Sequence, residues 1–304
     1  MHKMIFGCFV TGTKDASRAL LLAESIRTFA GEYSNLPFFM MYLQGNDPLT
    51  STQLALIEHL DVELHTFELD PIAAGFPFAG KVAASAAAET YSNERASQLV
   101  WMDSGTLVVN PVDQLLLPRG IRLSCRPVDH LLIGSPYDKP IDPFWDFIYE
   151  SCGVSRENIY PMVTSTDQVK MRPYINAGML VVRPEDNLLQ HWRDTFLEIY
   201  QDRQVLEFYE QDQLYQVFIH QAVLAGCVIA GYQLKEIIEL PVDVNYPLHM
   251  HTQYPPQLRP STLNQLVSFR YESYFSKPGW QNILQVTPPL KDWLEARVDF
   301  LSRP

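Results

Sequence analysis

The sequence predicts an α/β protein with a mixed, mostly parallel central sheet flanked by helices. Three observations carry this. Short apolar runs alternate with helical patterns over about the first hundred residues, the runs favour β-branched and aromatic side chains, and 47% hydrophobic against 19% charged content is enough for a buried core. With no internal repeat, low-complexity linker or charge run to divide it, the chain reads as one domain over residues 1–304.

The elements follow in order. Residues 4–10 form an apolar run, the polar turn 11–15 follows, and Ala19, Leu22, Ala23, Ile26 and Phe29 then share one helical face. Residues 38–43 read as a second strand, 50–60 as a second helix and 62–69 as a third strand, so consecutive strands pair in parallel through helical crossovers. Residues 81–91, with Ala at 83, 84, 86, 87 and 88, make a strong helix former leading into the strand Trp101-Met102. That strand ends in Asp103, a small turn through Ser104 and Gly105 follows, and apolar chain resumes at once. Asp103 therefore stands at the carboxyl end of a central strand, the edge where open α/β sheets bind ligands.

Residues 174–182 read as a strand with small and polar first residues, and Leu188, Leu189, Trp192, Phe196 and Ile199 make an amphipathic helix after it. A further helix is expected over about 211–225. From Leu240 onward proline recurs, at 241, 247, 255, 256, 260, 278, 288 and 289, so residues 240–304 are expected to lack regular core elements and to cover a cleft.

Composition narrows the function. A formal charge of −12, with no cluster of Lys and Arg, argues against a nucleic-acid surface. Cys8, Cys125, Cys152 and Cys227 are too scattered to suggest a disulfide framework or a zinc site, which points to a reducing, cytoplasmic setting. No apolar run approaches the roughly 18 residues of a membrane span, and the first residues lack a signal-peptide core, so no transmembrane segment is expected.

Four segments carry candidate chemistry, in this order: Val10-Thr11-Gly12-Thr13; Lys81 with its Ala-rich helix and Trp101-Met102-Asp103-Ser104-Gly105; Tyr174-Ile175-Asn176-Ala177-Gly178; and Glu210-Gln211-Asp212-Gln213. Over roughly residues 4–280 they resemble the glycogenin-like and lipopolysaccharide galactosyltransferase-like branch of the GT-A glycosyltransferases, glycosyltransferase family eight. The resemblance implies a GT-A fold and transfer of a hexose from a nucleotide diphosphosugar, typically a UDP-sugar, to a hydroxyl of a saccharide or other acceptor. It places Thr11 and Thr13 at the base and Asp103 at the ribose or a metal. Lys81, Asn176, Ala177, Gly178 and Gln213 would surround the donor sugar, with Asp212 beside the reacting carbon.

The chain also departs from that pattern. Gly105 stands where the family's second metal-binding aspartate would be, Val267-Ser268-Phe269-Arg270 carries no His, and Ser276-Lys277-Pro278-Gly279-Trp280 keeps Lys, Pro and Trp around an inserted Gly. Manganese or magnesium is accordingly expected to bind weakly or not at all, since hard cations want several oxygen ligands. Asp103 with His249 and His251, which alternate by two, are the candidate metal ligands. Negative charge that builds on a departing diphosphate needs an electrophile, and Lys81, Arg270 and Lys277 are the cations available instead. Plainer roles exist: a turn residue for Asp103, a helix-terminus charge for Asp212, a solvated charge for Lys81 and surface positions for the histidines. Two other classes stay open, a non-catalytic sugar-nucleotide-binding or scaffold protein and a nucleotidyltransferase. No Gly-rich, Lys- or Arg-bearing loop after the first strand supports the latter.

Overall fold

A computed structural model describes residues 1–301. Its first part follows the expected alternation: β1 (Ile5–Val10), α1 (Thr13–Phe29), β2 (Phe38–Leu43), α2 (Ser51–His59), β3 (Val62–Phe67), α3 (Pro71–Ala74), α4 (Ala79–Ser92) and β4 (Leu99–Met102). Local chemistry sets several boundaries. Thr50 and Gln53 form a reciprocal capping box at the start of α2, and Asp70 caps α3 with Pro71 in its first turn. After β5 (Thr106–Val108) come β6 (Leu123–Pro127), α5 (Pro143–Ser151), the small pair β7 (Met162–Val163) and β8 (Lys170–Met171), and β9 (Ile175–Val182). Then follow α6 (Leu188–Ile199), α7 (Arg203–Gln211), α8 (Gln213–Gly231), β10 (Ile237–Glu239), β11 (Tyr246–Pro247), β12 (Ser268–Arg270), α9 (Leu290–Glu295) and α10 (Val298–Leu301).

Seven strands form the main sheet in the order β10-β6-β9-β4-β1-β2-β3. All its pairings are parallel except those of β9, which runs antiparallel to both β4 and β6. Strand alternation divides the core between the two faces. Phe6, Cys8, Val10, Val100 and Met102 pack against α1, whereas Ile5, Leu99 and Trp101 pack against the layer of α4, α5, α6 and α8. In β9 the alternation breaks. Ile175 and Ala177 join the α4 side and Met179 and Val181 the α1 side, with a register shift against β6 between Cys125 and Pro127. The irregularity coincides with Asn176-Ala177-Gly178, and such bulges re-aim side chains beside functional sites.

Two sequence expectations need correction. The Pro-rich region makes more regular structure than its prolines suggest: β12 pairs antiparallel with β5, and Tyr246, Tyr254, Phe269, Tyr271, Tyr274, Phe275 and Trp280 build a third apolar cluster. Strands of two or three residues joined by short 3-10 turns leave few ladder positions for proline to spoil. The short α7, which ends at Gln211, was not expected, and the helix expected over 211–225 is α8, which starts at Gln213 and runs on to Gly231, long and apolar enough to cross a membrane. No run of that length was expected, because His220 and three glutamines interrupt it. Here Ile219, Ala222, Val223, Leu224, Cys227, Val228 and Ile229 are buried within the protein.

Candidate functional site

At the carboxyl ends of β1 and β4 lies a cavity of about 530 Å³ whose wall includes Phe9, Thr11, Asp15, Arg18, Phe76 and Phe78, and also Lys81, Asp103, Ser104, Gly105, Arg270 and Glu272. A somewhat larger cavity, about 620 Å³, lies between α3, α4 and α6, where Arg193 is the only cation in the wall and is held by Asp194 at 2.7 Å. The first cavity is the candidate site, because three cations and three carboxylates converge there.

Asp103 follows β4 directly. Its N–H donates to Gly178 O at 2.9 Å, extending the ladder with β9, and its carbonyl accepts from Thr106 N–H at 3.0 Å to close the Ser104-Gly105 turn. One carboxylate oxygen lies 2.5 Å from Lys81 Nζ. The other lies over Gly178, where a Cβ would come within 2.7 Å of it and within 2.9 Å of Asn176 Oδ1. Glycine at 178 is thus what allows the aspartate to approach β9 so closely. Asn176 accepts from Gly178 N–H at 2.8 Å and braces the same bulge.

Lys81 sits in the first turn of α4, with 14% of its side chain exposed. Phe78 precedes that helix in the left-handed region, at φ 61°, and gives it no side-chain cap. Its ring lies 5.1 Å from the Lys81 ammonium and stacks on His220 at 4.3 Å. His220 is buried, its Nδ1 donates to Val217 O, and its Nε2 has no partner. Burial, aided by the Lys81 charge, holds this imidazole well below the usual histidine range and therefore neutral.

Arg270 arrives from the other end of the sequence. Pairing of β12 with β5 sets Arg270 opposite Thr106, and Tyr271 N–H donates to Gly105 O at 3.3 Å. The guanidinium meets Asp129 at 2.5 Å and Glu272 at 3.7 Å, while its Nε is buried without a partner. Burial lowers its pKa, and the nearby Asp129, Glu272 and Asp103 carboxylates more than offset this, leaving it raised. Arg18 completes the set, 3.7 Å from Asp15, whose carboxylate also accepts the Thr11 hydroxyl.

The other expected site residues lie elsewhere. Thr13 opens α1 and lines a separate cavity with Thr50 and Gln53, because entry into the helix ends the strand alternation that would have set it beside Thr11. Ala177 is fully buried in the apolar core on the α4 side of the sheet. Asp212 caps α8, accepting from Leu214 N–H at 2.9 Å; it and Gln213 are exposed and outside the cavity wall. Lys277 is exposed in the turn after Tyr274 and also outside that wall. Arg18, Asp15, Phe78, Asp129 and Glu272 were not singled out from sequence. Only Asp15 and Arg18 left a signal there, as an i,i+3 charge pair directly after the Thr-Gly-Thr turn.

The residues present do not fit a divalent ion. Lys81 occupies one Asp103 oxygen, Gly105 offers no side chain, His249 faces Glu272 at 2.5 Å, and His251 bonds the Tyr246 hydroxyl at 3.0 Å. Among the described residues no three His, Cys, Asp or Glu side chains converge to hold a metal.

Residues 8–225 match the Rhodobacterales glycosyltransferase domain family, and the chain belongs to it. That match meets the expectation of a glycosyltransferase. No curated protein sequence matches the chain. Similar solved structures include mouse xyloside xylosyltransferase 1, with 10% identity, TM-score 0.46, and 88% of this chain and 96% of that chain covered. The galactosyltransferase LgtC, solved with donor and acceptor sugar analogs, has 14% identity and TM-score 0.46, with 96% and 99% covered. The bifunctional glycosyltransferase WbbM has 14% identity and TM-score 0.48, with 89% and 45% covered.

Proposed function

We propose that this domain transfers a hexose from a nucleotide diphosphosugar, with UDP as the nucleotide, to a hydroxyl of a saccharide or other acceptor. The carrying observation is the convergence of Lys81, Arg18 and Arg270 on one cavity at the ends of β1 and β4. Thr11 and Asp15 face the base and ribose side of that cavity, Phe9, Phe76 and Phe78 supply an apolar wall, and Asp103 borders the sugar, with Asn176 bracing the β9 bulge beside it. In transfer, the bond from the anomeric carbon to the phosphate oxygen breaks with its electron pair staying on the diphosphate. The acceptor oxygen forms the new bond, and its proton passes to the departing phosphate or to solvent. Lys81 stands where charge develops on the leaving group, which is where fixed positive charge is most effective.

One observation favours a binding-only reading. Asp212, the residue expected beside the reacting carbon, is exposed and engaged as a helix cap. A thermal-shift panel of nucleotide sugars, followed by mass spectrometry of the products, separates the two. A ligand at about 100 times its Kd adds roughly 2.7 kcal/mol of stability. Stabilisation together with sugar transfer or donor hydrolysis supports the enzyme; stabilisation without turnover supports a binding protein; no stabilisation by any nucleotide at millimolar concentration rejects the donor class. Asp212→Asn keeps the cap, so a turnover loss on the order of a hundredfold at unchanged stability assigns it a part in the chemistry.

We also place the protein in the cytoplasm. Support comes from Cys8, Cys125, Cys152 and Cys227, all of them buried free thiols.

A further inference from the structure

The glycosyltransferase reading leaves open what holds the donor's diphosphate. The cavity wall carries Arg18, Lys81 and Arg270 against Asp15, Asp103 and Glu272, with Asp129 behind Arg270. Each cation already has a carboxylate: Arg18 has Asp15 at 3.7 Å, Lys81 has Asp103 at 2.5 Å, and Arg270 has Asp129 at 2.5 Å and Glu272 at 3.7 Å. A dication is drawn to a site whose carboxylates are uncompensated, and here an ammonium sits on the one carboxylate of the Asp103-Ser104-Gly105 turn. An anion instead finds donors that these carboxylates do not use up. Three donors with spare N–H groups line one cavity, among them the buried, unpartnered Arg270 Nε, and the first turn of α4 beside Lys81 has no side-chain cap. Helix N–H groups at that end favour negative charge.

We propose that this cavity holds the donor's diphosphate on Lys81, Arg18 and Arg270 in place of a divalent metal, with Lys81 exchanging Asp103 for a phosphate oxygen when the donor enters. The proposal rests on the glycosyltransferase reading and adds the means of holding the leaving group. Arg270, fixed by Asp129, offers its unpartnered Nε and the terminal nitrogen that gives up the longer contact with Glu272. Arg18, whose side chain is 28% exposed, swings from Asp15. The released Asp103 then accepts from a donor hydroxyl. Lys277 takes no part, being outside the wall.

Titration calorimetry with inorganic pyrophosphate and a panel of nucleoside diphosphates tests this, each run in excess chelator and again with manganese. Wild-type protein is expected to bind pyrophosphate and at least one nucleoside diphosphate with affinities unchanged within about threefold by chelator or manganese. Lys81→Met and Arg18→Ala should each weaken pyrophosphate on the order of tenfold or more, the loss expected for a hydrogen bond to a charged group. Arg270→Lys is the third variant, since Arg270→Ala would leave Asp129 buried and unpaired; it keeps the charge, loses the fork and should weaken binding less than Lys81→Met. Thermal melts of each variant confirm folding. Gly105→Asp gives the converse, because no atom lies within 4 Å of a Cβ built at 105. A second carboxylate beside Asp103 should make binding manganese-dependent in the variant alone. A loss of more than tenfold in wild type under chelator, or pyrophosphate binding that survives both Lys81→Met and Arg18→Ala, overturns the clamp while leaving a metal-dependent glycosyltransferase intact. If no nucleotide or nucleotide sugar binds with or without manganese, the donor reading itself falls and the clamp with it.

Discussion

The two ends of α4 obey different rules. At its C-terminal half, Ala84 and Ala88 are fully buried against the helical layer, and Glu89, also fully buried, accepts the Leu189 and Gln190 N–H groups at 3.0 and 2.9 Å. α4 thereby caps α6, and small side chains, good helix propensity and satisfied donors agree. At the N-terminal end, a phenylalanine occupies left-handed backbone, no side chain caps the helix, and a lysine stands in the turn where the helix dipole disfavours a cation. That end borders the cavity. Stability and function have divided one helix between them, and local rules are broken where the ligand is proposed to sit.

Lys81→Met should sharpen this contrast most. With a donor identified by the panel, turnover should fall on the order of a hundredfold, about 2.7 kcal/mol of transition-state stabilisation, while the urea midpoint barely moves. A variant that loses stability in step with turnover would show that Lys81 is there for the fold. Glu89→Ala is the counterpart at the other end. It strips the buried Leu189 and half-buried Gln190 N–H groups of their acceptor and should cost about 2–4 kcal/mol in urea unfolding, leaving nucleotide affinity of the folded protein unchanged. Altered affinity there would mean that the two ends are coupled.

A further effect should appear with pH. Burial raises the Glu89 carboxyl from 4.5 to about 7, against the backbone hydrogen bonds that lower it. Between those values the folded state keeps a proton that the unfolded chain has released. This contribution is therefore complete below about pH 4.5, falls by up to about 1.4 kcal/mol per pH unit as pH rises, and levels off above about 7. Unfolding at pH 5, 6, 7 and 8 should show that decline in wild type and a flatter profile in Glu89→Gln; parallel profiles would refute the assignment. The smallest change is expected from Phe78→Gly, where relief of left-handed strain and loss of the stack on His220 oppose each other. Net stability should stay within about 1 kcal/mol. A loss well beyond that would make Phe78 a structural residue.

Much of the fold could be read from local pattern. The runs at 4–10, 38–43 and 62–69 and the helices between them became β1 to β3 with α1 and α2, because alternation and helical periodicity are properties of neighbouring residues. Asp103 was legible for the same reason, as the end of an apolar run. Arg270 was visible only as a departure from a motif, and Asp129 not at all, since each owes its place to partners more than a hundred positions away. The short α7 went unread because Val205 is its one buried residue, and its place is set by packing on α8.

The sequence by itself determined the layer order, the central strand that ends at Asp103, the Ala-rich face of α4 and the membership in a glycosyltransferase family, because these are written in short-range periodicity and in motifs read in order. Tertiary structure alone decided which charges share a cavity. The bulge in β9 tucked Ala177 into the core and set Gly178 directly beneath the Asp103 carboxylate, entry into α1 turned Thr13 away, and the pairing of β12 with β5 carried Arg270 across the sequence to the Gly105 turn. A side chain's neighbours across a sheet depend on register and on the packing of distant elements, and one residue of shift reverses every face.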